Sequence, residues 1–320
     1  MYEENRLVLS QIVEEKSVIR HVSKHRNPDG SFDLKGNKEI WNHAIARFRQ
    51  IFLWEDGAPG FDDRDPLQTQ PSIIFVPALN ADGPRGTVVV AHGGGFSSRT
   101  GCEGMHVADY FVKAGFNAAI LTYRLEPYTR RDAIADMQRA IRLLRANKDV
   151  LNITEKVAVM GFSAGGMLSG NCATHYDRGN PLSEDPIERE SCRPDAAVLG
   201  YGAFAHVKFP PFSFGGIPKT SFQDPDRAEK LYLAPEKNIT TDTPPFFIWQ
   251  TIDDFFGDPR HSFELGTALT EAGVPFEMHI YPEGVHGLAL ADGNNDLSMD
   301  LPHVATWADL CAQWMRKQGL

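Results

Sequence analysis

The sequence predicts an α/β domain: a mostly parallel central sheet with helices on both faces. Three observations carry that expectation. Short apolar runs recur from about Gly86 to the C-terminus, amphipathic stretches of helical period separate them, and one junction reads Gly161-Phe162-Ser163-Ala164-Gly165, a sharp turn between a strand-like and a helix-like segment. Near-continuous apolar strands alternating with helices imply a sheet covered on both sides, because each crossover helix packs on one face or the other.

Taken in order, residues 1–50 alternate charged and apolar side chains. They read as one or two amphipathic helices around a turn at NPDG (27–30), an extension able to pack on the core or to build a homodimer. The sheet domain is expected over 51–320. Its strands are expected at 87–91, 117–123, 156–161, 196–200, 245–251 and 276–281, each β-branched or aromatic and bounded by Gly, Pro or polar residues. Helices are expected at 104–114, 131–147, 164–173, 260–272 and 304–317. Residues 174–240 break the alternation: they hold one strand and are rich in Pro and aromatics, as in FPPFSFGGIP (209–218). A long irregular stretch of that composition reads as a lid or pocket wall.

Composition excludes several classes of function. The 320 residues are 42% hydrophobic and 23% charged, ample chain for a core without staples. Against 42 Asp and Glu stand 32 Lys and Arg, a net charge of −10, and an acidic surface does not attract nucleic acid or anionic membrane. Arg139, Arg142 and Arg145 fall at helical spacing among Asp132 and Asp136 and read as a solvated helix face. Cys102, Cys172, Cys192 and Cys311 form no C-x-x-C and have no His at zinc-ligand spacing, so free thiols in a reducing compartment are expected. The N-terminus lacks the apolar core of a signal peptide, and no uncharged apolar run approaches the roughly 18 residues of a membrane span. A cytoplasmic protein is expected, with no metal and no cofactor, since nothing shows H-E-x-x-H or comparable ligand spacing.

The chemistry concentrates in four places. In Gly161-Phe162-Ser163-Ala164-Gly165 the glycines relieve crowding around a serine in strained backbone, and the turn exposes its hydroxyl at a helix N-terminus that favours developing negative charge. His92-Gly93-Gly94-Gly95-Phe96 follows an earlier strand, and its glycine amides can turn inward. Those of Gly94 and Gly95, with that of Ala164, would form an oxyanion hole. A serine nucleophile needs a base, and the base needs an acid to orient it. His286 stands in a glycine-flanked loop just past the last strand, with His303 as the fallback. The acid belongs after the preceding strand, where Asp253, Asp254 and Asp258 stand; nine residues on from Pro245, the usual distance for such a loop, lies Asp254.

Beyond these motifs the chain resembles the acetylesterase branch of the α/β hydrolases, the xylan or pectin acetylesterase-like group. The resemblance runs through IFLWEDGAPG (51–60), HGGGF, CEGMHVADYF (102–111), YRLEPY (123–128), DMQRAIRLLR (136–145) and GFSAGG. It continues through RPDAAVLGY (193–201), TPPFFIWQTIDD (243–254) and AGVPFEMHIYPEGVHGLALA (272–291). It implies an α/β-hydrolase fold over 51–320, a triad of Ser163, Asp254 and His286, and an oxyanion hole of the HGGG glycines with the amide after the serine. Two departures stand out: Met167 where members of the group often carry His, and Asp254-Phe255-Phe256-Gly257 where they often continue into Val-Pro. The expected activity is hydrolysis of short acyl esters, acetylated sugars or xylo-oligosaccharides among them, with Phe96, Tyr201 and Phe212 shaping the substrate pocket alongside Phe209 and Phe214. The same parts would serve an amide or peptide substrate, and a binding protein could retain the fold without turnover.

Overall fold

The computed structural model describes residues 49–320 except 63–67, 69, 80, 203, 205–226, 255, 294 and 296–298. Residues 1–48, with the helices and dimer surface expected of them, lie outside the described residues, as do Phe209, Phe212 and Phe214.

Eight strands form one sheet: β1 (Arg49–Phe52), β2 (Ser72–Val76), β3 (Arg85–Ala91), β4 (Asn117–Thr122), β5 (Ile153–Phe162), β6 (Ala196–Gly200), β7 (Phe246–Thr251) and β8 (Phe276–Tyr281). Their order is β1-β2-β4-β3-β5-β6-β7-β8. β2 runs antiparallel to β1 and β4, and every other pair is parallel. The six expected strands are present. The sequence reading missed β1 and β2, and β1 begins inside the segment assigned to the N-terminal extension.

The α-helices are α1 (Met105–Lys113), α2 (Arg130–Ala146), α3 (Lys148–Leu151), α4 (Ala164–Thr174), α5 (Arg227–Tyr232), α6 (Arg260–Glu271) and α7 (Pro302–Lys317). Alternation along the strands assigns the longer helices to faces. Val89, Val159, Leu199 and Ile248 pack with Met137 of α2, Leu168 of α4 and Leu265 of α6. Their neighbours Val90, Met160, Val198 and Trp249 pack with Phe111 of α1 and with Trp307 and Met315 of α7. Both faces are apolar because both are covered.

α2 starts where Thr129 caps it: the Thr129 side chain accepts from the Asp132 amide while the Asp132 carboxylate accepts from the Thr129 amide. Its basic face is not solvated. Arg139 and Arg142 are 5% and 7% exposed. Arg139 bonds Glu188 at 2.6 Å, Arg142 bonds Asp177 at 2.7 Å, and Arg145 meets Asp195 at 2.8 Å. Residues 177–195 fold back over α2 and supply these anions, because a buried guanidinium needs partners. Helical spacing alone does not encode that distant cover.

Candidate active site

β4 lies on one side of β3 and β5 on the other, so the connections diverge at β3, the kind of switch point at which sheets of this class leave a crevice outside the C-terminal strand ends. The parallel register pairs Ala91 with Gly161. The His92–Gly95 loop therefore leaves the sheet beside the Ser163 turn.

Ser163 stands between the last residue of β5 and the first of α4, at φ 52° and ψ −119°. That conformation is uncommon for a residue with a side chain, and such strain concentrates at functional sites. The Ser163 amide donates to the Gly200 carbonyl at 3.0 Å, and the Ser163 carbonyl accepts from Met167 at 3.0 Å. The flanking glycines are spatial necessities. A Cβ on Gly161 would lie 1.9 Å from the Gly165 carbonyl oxygen, and one on Gly165 would lie 2.1 Å from that of Ala91. The start of α4 is thus pressed directly onto the ends of β5 and β3.

His286, in the loop after β8, places Nε2 2.7 Å from Ser163 Oγ and Nδ1 2.8 Å from Asp254 Oδ2. Asp254 is 1% exposed. Its Oδ1 accepts from the amides of Phe256 at 2.9 Å and Gly257 at 2.8 Å, and its Oδ2 from Gln250 Nε2 at 2.9 Å. Of the other acid candidates, Asp253 is exposed, and Asp258 accepts from the amide and Nε of Arg260. The fallback base, His303, lies in the first turn of α7 with its ring edge-on to Tyr281. The His286 ring is held between Phe256, stacked at 5.2 Å, and the Tyr201 ring, edge-on at 5.1 Å.

Gly94, Gly95 and Phe96 all have positive φ, at 113°, 63° and 61°. The Gly94 carbonyl turns into its own loop, accepting from the amides of Ser97 and Ser98. The Gly93 amide is committed to Glu103 Oε2 at 2.6 Å. The two described rings expected on the pocket wall are both buried. Phe96 is 3% exposed beneath the Arg130 guanidinium, and Tyr201 is 2% exposed, its hydroxyl donating to Glu103. In this conformation neither offers an open face to a ligand. Sequence reasoning passed over Glu103, Gln250 and Phe256. A lone acid in GCEGM and an aromatic two places after Asp254 were the available signals.

His92 is fully buried, stacked on Tyr123 at 4.5 Å, with Nδ1 2.6 Å from the Gly93 carbonyl. Burial, reinforced by Arg99, lowers its pKa from 6.5 to about 3, and burial lowers that of His261 to about 4. Below pH 6.5 the unfolded chain takes up protons at these two sites that the folded chain refuses, so stability falls as pH drops from 6.5 towards 3. His92→Asn is expected to make the thermal midpoint less steep against pH across that window. A slope equal to wild type would remove His92 from the acid response.

Among the described residues no group of three or more His, Cys, Asp or Glu could hold a metal ion, and no helix is long and apolar enough to cross a membrane. The four cysteines are buried free thiols.

With this geometry in view, the chain is similar to the solved acetyl ester-xyloside bifunctional hydrolase of Caldicellulosiruptor lactoaceticus. Identity is 35%, the TM-score is 0.77, and the match covers 85% of this chain and 96% of that one. The chain belongs to the acetylesterase-like branch of the α/β hydrolases. The BD-FAE family model matches residues 74–205, from β2 through the turn after β6. Over 303 residues this chain is 30% identical to endo-1,4-beta-xylanase B of Butyrivibrio fibrisolvens, covering 89% of its own length and 44% of the xylanase. Over 224 residues it is 28% identical to an acetylxylan esterase of Xylanibacter ruminicola, covering 67% of itself and 43% of that protein. The chain spans less than half the length of these two curated relatives.

Proposed function

We propose that the chain is a serine carboxylic-ester hydrolase that removes short acyl groups, acetyl foremost, from a sugar or xylo-oligosaccharide. The observation that carries this reading is the continuous relay of Asp254 to His286 at 2.8 Å and His286 to Ser163 at 2.7 Å, on a strained turn at the crevice. Ser163 Oγ attacks the acyl carbon and its proton passes to His286 Nε2. Asp254, bonded to Nδ1, holds the tautomer that leaves Nε2 free to accept and stabilises the imidazolium that results. The amides of Gly94, Gly95 and Ala164 receive the oxyanion. Collapse of the tetrahedral intermediate breaks the ester bond, and His286 protonates the departing alcohol. Water, deprotonated by His286, then releases the carboxylic acid and restores Ser163.

The carbohydrate assignment draws support from relatives named for acetyl ester-xyloside and acetylxylan chemistry. The test is a substrate series, p-nitrophenyl acetate to octanoate plus acetylated xylo-oligosaccharides, with Ser163→Ala as control. The expected result is turnover that is fastest on acetate, falls with chain length, is lost in the variant and includes acetate release from the oligosaccharides. Faster Ser163-dependent cleavage of p-nitroacetanilide, the amide counterpart added to the series, than of p-nitrophenyl acetate would overturn the ester reading.

A further inference from the structure

We infer that Glu103 is a positioning residue of this site: an ionised carboxylate that ties the oxyanion loop to the histidine loop and stabilises the protonated state of His286. The inference rests on the ester-hydrolase reading and extends it to a residue outside the triad. Glu103 closes a short 3-10 helix, Gly101–Glu103, and is 1% exposed. Its two oxygens serve different loops. Oε2 accepts from the Gly93 amide at 2.6 Å, on the loop after β3. Oε1 accepts from the Tyr201 hydroxyl at 2.7 Å, just past β6. The Tyr201 oxygen in turn accepts from the Ala289 amide at 3.0 Å, three residues beyond His286. One carboxylate therefore links the end of β3, the end of β6 and the loop after β8, and the ring of the linking Tyr201 lies edge-on to His286 at 5.1 Å.

Geometry also fixes what Glu103 does to each end. Pinning the Gly93 peptide sets the direction from which the next two amides leave, and those are the proposed oxyanion donors. The fit is tight: a Cβ on Gly93 would lie 2.5 Å from Glu103 Oε2 and 2.9 Å from Ser163 Cβ. Donors aimed at both oxygens match the acceptor-only ionised form. A neutral side chain could hold a peptide and a phenol with a smaller desolvation cost, so a carboxylate here points to a use for the charge. The cation it is placed to act on is the His286 ring once that ring takes the proton from Ser163, with Tyr201 lying between the two. Burial pushes the Glu103 pKa above its ordinary value, while the bonds from Tyr201, Gly93 and Thr100 and the charge on His286 oppose that shift. The other titratable and charged groups facing the cluster are the buried Cys102, Tyr123 and His92, with Arg99 acting on Tyr123 and His92 and Arg130 on Tyr123. At the tetrahedral stage His286 carries the proton from Ser163, and a buried anion coupled to it lowers the energy of that charge-separated state.

The experiment measures kcat and KM of wild type, Glu103→Gln and Tyr201→Phe on p-nitrophenyl acetate across pH. For Glu103→Gln, kcat is expected to fall about 10- to 100-fold at little changed KM. The acid limb of kcat/KM is also expected to move to lower pH by about one unit, because loss of a neighbouring anion lowers the imidazolium pKa. Tyr201→Phe keeps the charge and cuts the link, so kcat should fall about 10-fold with the acid limb in place. A Glu103→Gln enzyme with kcat within about twofold of wild type, or a slower one with an unmoved acid limb, overturns the inference. If Glu103→Gln does not fold, Tyr201→Phe decides, and an unchanged kcat overturns it. Absence of Ser163-dependent turnover in wild type would instead overturn the ester-hydrolase reading itself.

Discussion

Asp254→Asn is expected to lower kcat on a short ester by about ten-thousand-fold, while Asp253→Asn leaves it within about twofold. The two aspartates are adjacent, yet their surroundings are opposite. Asp254 is buried, receives two backbone amides and the Gln250 side chain, and touches His286 Nδ1. Asp253 is exposed. An asparagine at 254 keeps the volume but removes the charge that stabilises the imidazolium, and its amide can hold the ring in the tautomer that presents a proton to Ser163. The loss then appears in kcat, and thermal midpoints of both variants show that each has folded. Equal losses at the two positions would contradict the assignment.

Gly161→Ala is expected to lower unfolding stability by about 3 kcal/mol or more, because overpacking against a rigid backbone cannot be relieved by a rotamer change. The added methyl would meet the Gly165 carbonyl at 1.9 Å, and separating them means lifting the start of α4 off β5. Gly83→Ala is the control: nothing lies within 4 Å of a Cβ there. That change should alter stability by less than about 1 kcal/mol in either direction. Urea unfolding of the two variants beside wild type measures both effects. A Gly161→Ala protein as stable as Gly83→Ala would show that the turn is not sterically closed.

These two cases mark where the sequence was readable. The glycines around Ser163 and the run after β3 are local signals, since close backbone approach needs glycine whatever lies further off. His286 could be found because chain order and the final apolar strand bracket it. Counting nine residues from Pro245 favoured Asp254 over Asp253, whereas the side-chain direction that separates the two in the structure depends on how the amides of residues 256 and 257 fold back. β1 and β2 escaped notice because β1 is a four-residue, partly exposed run, RQIF, and β2 is a short apolar one, SIIFV, with no helix among the described residues between them. Their place in the sheet comes from antiparallel pairing with each other and with β4. The basic face of α2 was read as solvated because its cover, 177–195, lies more than 30 residues away along the chain. Glu103 was invisible for the same reason: its partner Tyr201 is 98 residues distant, and only the folded sheet brings the two together. Burial of Phe96 and Tyr201 likewise depends on neighbours such as Arg130 and Trp249 that spacing does not specify.

On the proposed mechanism Ser163 is a nucleophile activated by His286. The most direct measurement is titration with a fluorophosphonate, followed by mass spectrometry of the labelled peptide and assay of residual ester hydrolysis. The expected result is stoichiometric label on Ser163, activity lost in proportion to label, and neither labelling nor turnover in Ser163→Ala. Ester turnover that survives with Ser163 fully labelled, or label that settles on another residue while activity falls, would contradict it.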